Sequence, residues 1–433
     1  MIMLHMSISL FLFFAAFASA HSVSGNRLLV VHDVGVSPKE YSTLFGFLKD
    51  RLFDITFKDI KADTSLFQFD ERLYDHLVIM TTKSKGLGPN LTARKVLDHV
   101  KSGGNLLFAG SPSVPETLRE ISRELDIEFA QRDSLVVDHF SPDPKHPTFN
   151  TFSSNQNILS EAVRSGNSVK YSGIGMSLGE SSMLVPFLRA SRTAYSYDTK
   201  EEFSGVEDSW MAGTQMVLAT GFQARNNARV GVTGSLEMFS NEYVNDKTTG
   251  NENFIQEFTK WVFQETGVIR FDSGIHHLAG QVGNATAYNP KVYKVKTDMT
   301  YTAKLSHWNG KSWVPYNPTD VQLEIKMLDP YIRQTLPSSL TTTLTLPDQY
   351  GVFTFQIIYE RPGLSNINHK ELVTIRHLRT DEYPRFLIAA WPYYTSSAVV
   401  VMSWLLFCGI WLYFSDGTSQ EINGKKSKTK KNE

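Results

Sequence analysis

Between Arg385 and Asp416 the chain runs through 30 residues without one Asp, Glu, Lys or Arg. A helix needs ~20 apolar residues to cross a hydrocarbon core ~30 Å thick. Trp391, Tyr393 and Tyr394 crowd one end of this stretch, and Trp411 and Tyr413 the other. Aromatic rings gather in that way at the two membrane–water interfaces. From Tyr394 to Tyr413 is 19 steps, about 28 Å at ~1.5 Å per residue. Pro392 falls where a helix starts and a missing N–H breaks no intrahelical bond. The stretch reads as a single transmembrane helix over 394–414, because a buried globular helix is not normally hydrophobic on all faces with aromatic residues at both ends.

The other end of the chain fixes the expected topology. Residues 7–20 read Ser-Ile-Ser-Leu-Phe-Leu-Phe-Phe-Ala-Ala-Phe-Ala-Ser-Ala. The apolar run Ile8–Phe17 is too short to span a bilayer and ends in Ala18-Ser19-Ala20, the small-residue pattern of a cleaved secretory signal. The preceding flank lacks the usual Lys or Arg, and a buried core strand is the alternative reading. We expect 1–20 to be a signal peptide, with His21 as the mature start. A cleaved signal followed by a stop-transfer helix leaves the bulk of the chain outside the cytosol and 415–433 inside, a single-pass type I arrangement. That tail holds Lys425, Lys426, Lys428, Lys430 and Lys431. The positive-inside tendency agrees, although Arg376, Arg379 and Arg385 on the opposite flank dilute the contrast. Lys430 and Lys431 stand fourth and third from the end, the spacing of the dilysine retrieval signal of resident endoplasmic-reticulum membrane proteins. The alternative is a basic tail lying near anionic lipid.

The 433 residues allow two or three domains, and Lys+Arg 43 against Asp+Glu 44 gives a net charge of −1. So even a balance carries no electrostatic footprint for nucleic acid. The one cysteine, Cys408, excludes an intramolecular disulfide and a cysteine-built zinc site.

The extracytosolic part divides in two. Over 21–275, strand-like runs (Leu28–Val31, Phe53–Phe57, Leu77–Met80, Asn105–Ala109) alternate with helix-like stretches (Tyr41–Arg51, Leu91–Val100). A further strand and helix follow near Ala228–Val232 and Asn253–Phe263. That alternation predicts an α/β domain with a parallel sheet, of the flavodoxin or glutaminase-like kind. Over 281–385 the helical period is lost, and Val292–Lys296, Gln322–Met327, Val352–Ile357 and Leu372–Ile375 are separated by turn signals such as Asn309-Gly310 and Pro362-Gly363. An antiparallel β-sandwich is the expectation there.

Motifs for chemistry are scarce. Gly173-Ile174-Gly175-Met176-Ser177-Leu178-Gly179 has the wrong glycine spacing for a dinucleotide fingerprint, and neither a P-loop nor a Gly-x-Ser-x-Gly elbow occurs. A glutaminase-type nucleophile is excluded because the only cysteine lies in the membrane helix. His276-His277 is the best metal-like cluster, but neighbours in a strand point to opposite faces. Asp138-His139 suggests half of a catalytic pair without a matching nucleophile. Asn90-Leu91-Thr92 and Asn284-Ala285-Thr286 fit the acceptor rule for N-glycosylation, whereas Asn317-Pro318-Thr319 is barred by its proline. We therefore assign no catalytic, cofactor or metal residue.

One block is distinctive. Gln223-Ala224-Arg225-Asn226-Asn227-Ala228-Arg229-Val230, followed by Gly234-Ser235-Leu236, closely resembles a signature of the 48 kDa subunit family of oligosaccharyltransferase. Leu48–Arg51, Phe53–Phe57, Leu73–Leu77, Trp261-Val262-Phe263 before Gly267-Val268, His276-His277, the run Asp348–Phe353, and Tyr393-Tyr394 before the membrane helix add to the likeness. It covers essentially the whole mature chain.

The resemblance implies a subunit of the endoplasmic-reticulum complex that moves a preassembled glycan from dolichyl diphosphate to Asn in Asn-x-Ser/Thr. In that family a separate multi-span subunit is catalytic. The 48 kDa subunit is accessory and packs against ribophorin-type and defender-against-death-type subunits. On this reading Arg225, Asn226, Asn227 and Arg229 are structural, forming a hydrogen-bonded turn into a strand. A glycan or phosphate site is the sharper alternative, since Arg forks match anionic oxygens. An independent membrane-anchored carbohydrate-binding or hydrolytic protein is the alternative function. Ser396 and Ser403 lie two helical turns apart and share a face on which a partner span could dock.

Overall fold

A computed structural model of the chain describes residues 21–33, 35–82, 86–88, 90–149, 168–198, 200, 209–280 and 288–429. The expected signal peptide, Asn284, Lys430 and Lys431 lie outside the described residues.

Short apolar runs build one half of a nine-stranded sheet: β1 (Arg27–His32), β2 (Asp54–Asp59), β3 (His76–Met80) and β4 (Asn105–Ala109). β3 and β4 are buried at every position, as befits strands covered on both faces. Their side chains alternate between two cores. On one face Leu28, Val30 and Val78 meet Leu44 and Leu48 of α1 (Ser42–Asp50). On the other, Leu29, Leu77 and Ile79 meet Val96 of α2 (Ala93–Lys101) and Leu118 of α3 (Glu116–Glu124). Thr92 caps α2 by accepting the Lys95 N–H. Gly104 after it leaves room for the buried His99 ring, which a Cβ there would overlap at 2.2 Å.

The remaining strands correct the expectation of a parallel sheet. They are β5 (Ile127–Phe129), β6 (Met176–Leu178), β7 (Leu184–Arg189), β8 (Val217–Gln223) and β9 (Arg229–Thr233). The order is β2-β1-β3-β4-β9-β8-β6-β5, with β7 also on β8. β2, β1, β3, β4 and β9 run parallel, but β8 meets β9, β6 and β7 antiparallel, and β6 meets β5 likewise. The sheet is mixed because β8 and β9 are joined by a tight hairpin, which only antiparallel strands allow. After β9, α4 (Asn251–Val262) returns to the α1 face, burying Phe254, Phe258 and Trp261.

A sandwich-like region follows: β10 (Ile269–Leu278), β11 (Val292–Lys294), β12 (Asp298–Trp308), β13 (Trp313–Pro315), β14 (Gln322–Lys326), β15 (Pro330–Thr335), β16 (Thr341–Thr345), β17 (Gly351–Tyr359) and β18 (Ile367–Arg376). One sheet has the order β10-β12-β13 with β16 on β12, and the other β11-β18-β17-β14-β15. Met299, Tyr301 and Leu305 of one share a core with Leu323, Phe353, Phe355 and Val373 of the other. The strand-rich region begins earlier than the sequence suggests. β10 starts at Ile269 and pairs with β12 through Leu278, so it crosses the boundary drawn at 275.

The chain leaves β18 and enters α5 (Trp391–Thr429), 39 residues long. The apolar window Ile388–Phe414, which begins three residues before α5, has a mean hydropathy of 2.0 and is not buried, and it is the one candidate span among the described residues.

Candidate functional site

The motifs read from sequence as possible chemistry do not assemble a reactive centre. A Cβ on Gly173 would lie 2.2 Å from the Gly234 carbonyl oxygen, and one on Gly175 would lie 2.4 Å from Met216 Sδ. These glycines serve close packing and cradle nothing. The Asp138 carboxylate accepts hydrogen bonds from the Ser191 and Thr193 hydroxyls and the Phe140 N–H, and these hold it below the usual carboxylate range against the opposing effect of burial. Its neighbour His139 turns away to the Tyr195 hydroxyl at 3.0 Å. His276 is buried inside the sandwich, with Nδ1 2.8 Å from the Tyr293 hydroxyl and Nε2 3.4 Å from Glu371, while His277 is half-buried on the opposite face. No cluster of His, Cys, Asp and Glu suited to a metal occurs among the described residues.

The residues of the signature block that do come together lie where the mixed sheet meets the sandwich, and the β8–β9 hairpin is their source. The Asn227 N–H donates to the Ala224 carbonyl and the Ala224 N–H to the Ala228 carbonyl, both at 2.9 Å. Asn227 sits at φ 68°, a left-handed conformation that Asn tolerates better than most residues. Asn226 Nδ2 donates to the Val100 and Lys101 carbonyls at 2.9 and 2.8 Å, satisfying the end of α2. Asn227 reaches the sandwich, donating from Nδ2 to the Asn366 carbonyl and accepting the Asn366 N–H.

Arg229 is fully buried. Its Nη1 donates to the Trp261 and Thr266 carbonyls at 2.9 and 2.6 Å, and its Nη2 to the Gly267 carbonyl at 2.7 Å. The guanidinium lies 4.9 Å from the Trp261 ring centroid, a favourable stacking of cation on π-face. It forms no ion pair among the described residues, and burial alone lowers its pKa to about 9. Arg225 points the other way. It is exposed and lines a cleft of about 340 Å³ with Gln223, Glu360, Arg361 and Asn366.

The sandwich answers with one loop. Trp261 Nε1 donates to the Gly363 carbonyl at 2.9 Å, Gln223 Nε2 to the Leu364 carbonyl at 2.5 Å, and the Ser365 N–H to the Gly267 carbonyl at 3.0 Å. Beneath the hairpin, Asn105 Oδ1 accepts both the Arg229 N–H and Gln264 Nε2 at 2.9 Å. Its Nδ2 therefore faces Ser24 Oγ and His76 Nδ1. The segment from His21 closes the junction, as Trp308 Nε1 donates to the His21 carbonyl at 2.6 Å and the Val23 N–H to the Gln264 carbonyl. Most of the donors here are spent on backbone carbonyls. The arrangement can hold two bodies in register, and it offers no paired nucleophile and base. Asn105, Gln264 and Asn366 escape sequence reasoning because their partners are remote in the chain and no local period marks them.

Comparison with known proteins bears on what is held. Two family models match in succession, the OST48 N-terminal domain over residues 19–265 and the OST48 middle domain over 276–415. The chain belongs to the OST48 family. Its relatives include the dolichyl-diphosphooligosaccharide–protein glycosyltransferase subunit wbp1 of Schizosaccharomyces pombe, 38% identical over 88% of this chain and 90% of that one. The 48 kDa subunit of Caenorhabditis elegans is 32% identical over 95% and 97%. WBP1 of Saccharomyces cerevisiae is 31% identical over 88% and 90%. A ThuA-like protein from Parabacteroides merdae covers 55% of this chain and is itself 90% covered, at 12% identity and a TM-score of 0.32, a superposition too loose to bear on the fold.

In this OST48-family chain the remaining expected residues are scattered. Asn90 is half-buried and its Nδ2 donates to Asp63 Oδ1. Ser396 and Ser403 are both exposed on α5, and the Ser396 hydroxyl donates to the Tyr393 carbonyl one turn back at 2.9 Å.

Proposed function

We propose that this chain is a non-catalytic, membrane-anchored subunit of the oligosaccharyltransferase complex. In that role it supports transfer of a preassembled glycan from dolichyl diphosphate to Asn in Asn-x-Ser/Thr through assembly and stability of the complex. The observation that carries this reading is the coverage of both OST48 models along one chain that also bears an apolar anchor helix. Physical chemistry supports the division of labour. A dolichol donor presents its diphosphate at the membrane surface while its tail stays in lipid, and one span cannot enclose it. The order β2-β1-β3-β4 of parallel strands supports placing the first domain among doubly wound folds.

On this proposal 1–20 is a cleaved signal, the α/β and sandwich domains are lumenal, and 394–414 crosses the endoplasmic-reticulum membrane. The tail 415–433 is then cytosolic, with Lys430 and Lys431 as a retrieval signal. Partners are the catalytic multi-span subunit and the ribophorin-type and defender-against-death-type subunits. Arg225, Asn226, Asn227 and Arg229 act structurally, and Asn90 and Asn284 are sites for glycan attachment. The test is purification of the tagged full chain in mild detergent, with partners identified by mass spectrometry. Stoichiometric recovery of membrane partners is expected. A free, active monomer would instead favour an independent carbohydrate-binding or hydrolytic protein.

A further inference from the structure

The end of the sandwich from which the chain departs toward α5 carries exposed apolar and basic side chains together. β18 exits at Arg376, and at the same end lie the start of β17 at Gly351 and the β14–β15 hairpin, since Gly351 pairs with Ile375 and Lys326 with Thr354. A Cβ on Gly351 would lie 2.8 Å from Met327 Sδ, so that hairpin sits against the start of β17. At its tip Leu328 is 91% exposed. Tyr350 is exposed beside it, its ring centroid 3.8 Å from that of His377 on the exit path. An isolated exposed leucine is ordinary. A leucine at a hairpin tip, on the same end as the exit to a membrane helix, is not isolated.

The exit path is short and braced. Arg376 grips Glu382 with both guanidinium nitrogens at 2.6 and 2.7 Å, and the Arg379 N–H donates to the same carboxylate at 2.9 Å. The grip draws Glu382 down to a pKa of about 2. Six steps separate Glu382 from Ile388, where the apolar window begins, so at ~3.5 Å per residue the tether spans ~20 Å at most. Along it Phe386, Leu387 and Ile388 are exposed, and the Arg385 guanidinium lies 5.7 Å from the centroid of the Phe386 ring. Among the basic groups at this end, Lys296 is held by Asp348 and Arg376 by Glu382. Lys294, Lys326, Arg379 and Arg385 have no ion pair among the described residues, and the exposed acids Asp329 and Asp381 stand among them. Apolar tips flanked by basic side chains suit the headgroup layer, where the stem of a Lys or Arg lies along apolar material and its charge meets phosphate.

We propose that this end of the sandwich rests on the phospholipid surface of the leaflet that α5 enters. Leu328 and Phe386–Ile388 sit in the interfacial layer, and Lys294, Lys326, Arg379 and Arg385 face lipid phosphates. The proposal rests on reading Ile388–Phe414 as a membrane span. Its consequence is orientational. One helix alone lets the folded part swivel about a tether, whereas a second contact at Leu328 fixes the tilt of both domains over the bilayer.

The test places a nitroxide at Leu328→Cys in a Cys408→Ser background, in the full-length chain reconstituted into phosphatidylcholine vesicles with and without anionic phospholipid. Asn368→Cys, exposed at the far end of β18, gives the aqueous reference, and a label on native Cys408 reports the span independently. The label at 328 should lose most of its collision with a water-soluble nickel chelate relative to 368 and gain collision with oxygen, more so with anionic lipid. Equal accessibility at 328 and 368, with Cys408 still shielded, would overturn the proposal alone. An accessible Cys408 would overturn the span reading beneath it. Protection at 328 that fades as the chain is diluted in lipid would mean that a second copy covers the hairpin, and would also overturn it.

Discussion

Asn227 and Asn366 clasp each other across the junction. Nδ2 of Asn227 donates to the Asn366 carbonyl at 3.1 Å, and the Asn366 N–H donates to Asn227 Oδ1 at 2.6 Å. Because Asn227 also carries the positive φ of the hairpin, two substitutions separate its roles. Asn227→Gly keeps the backbone conformation and removes the clasp, at a cost of about 1–3 kcal/mol for polar groups left unmade. Asn227→Ala adds about 1 kcal/mol more, since alanine resists the left-handed region. Denaturant unfolding of the detergent-solubilised chain should rank wild type above Gly above Ala. An Ala variant as stable as Gly would show that the hairpin relaxes out of its positive φ.

Arg229 is the more demanding member of the same junction. Three backbone carbonyls depend on its guanidinium, and no carboxylate among the described residues offsets its charge. Arg229→Met fills similar space but leaves the Thr266 carbonyl without its donor and takes one from each of the Trp261 and Gly267 carbonyls, and should cost about 3 kcal/mol. Arg229→Lys should rescue little, because a point-like ammonium cannot reproduce the planar fork. Limited proteolysis reads the outcome. Cleavage near Thr266–Gly267 should accelerate in both variants, and protection unchanged in Arg229→Met would mean the segment is held by the Ser365 N–H on the Gly267 carbonyl without Arg229.

The fold is sensitive to acid at His76. Asn105 cannot flip, since its Oδ1 is committed to Arg229 and Gln264, so it presents an N–H to His76 Nδ1. The other ring nitrogen faces the Gly25 carbonyl at 3.0 Å. Only the neutral ring protonated at Nε2 satisfies both neighbours, and burial pushes the pKa of His76 down to about 4, with His99 nearby also at about 4. A depressed histidine stabilises the fold fully above the unfolded value of ~6.5, and that contribution is lost as pH falls toward 4. The loss from His76 alone is on the order of 3 kcal/mol. The denaturation midpoint should therefore drop between pH 6.5 and 4, and His76→Gln should flatten the slope while lowering the plateau.

How much of this is legible in the sequence depends on the reach of each interaction. β1, β3 and β4 are readable because burial on both faces leaves continuous apolar runs such as Leu28–Val31 and Leu77–Met80. β10 is not, because a register shift between Phe271 and Ser273 breaks the alternation that would announce a strand. The antiparallel half of the sheet hides for a related reason. β6 and β5 are three residues each, too short for a period to emerge. Within the junction, Arg225–Arg229 stands out as a block, yet its partners at Val100, Trp261 and Asn366 lie far away in the chain. Periodicity reports what a residue faces and says nothing of which distant carbonyl it finds.

The anchor helix offers the last test, and the two serines that share its face are not equivalent. Ser396 already spends its hydroxyl on the Tyr393 carbonyl, and Ser397 and Thr395 bond back to Tyr393 and Trp391 in the same way. Such back-bonding leaves little for a neighbouring span. Ser403 lies two turns further on, deeper in the apolar window. If the face docks, Ser403 is where a small side chain lets a second backbone approach closely. Ser403→Leu should loosen the complex by about 1–2 kcal/mol, whereas Ser396→Ala should change nothing. Subunit stoichiometry after detergent extraction, read beside glycosylation of a reporter sequon, decides between them. Full recovery of every partner with Ser403→Leu would move the binding surface off this face of the helix and onto the folded domains.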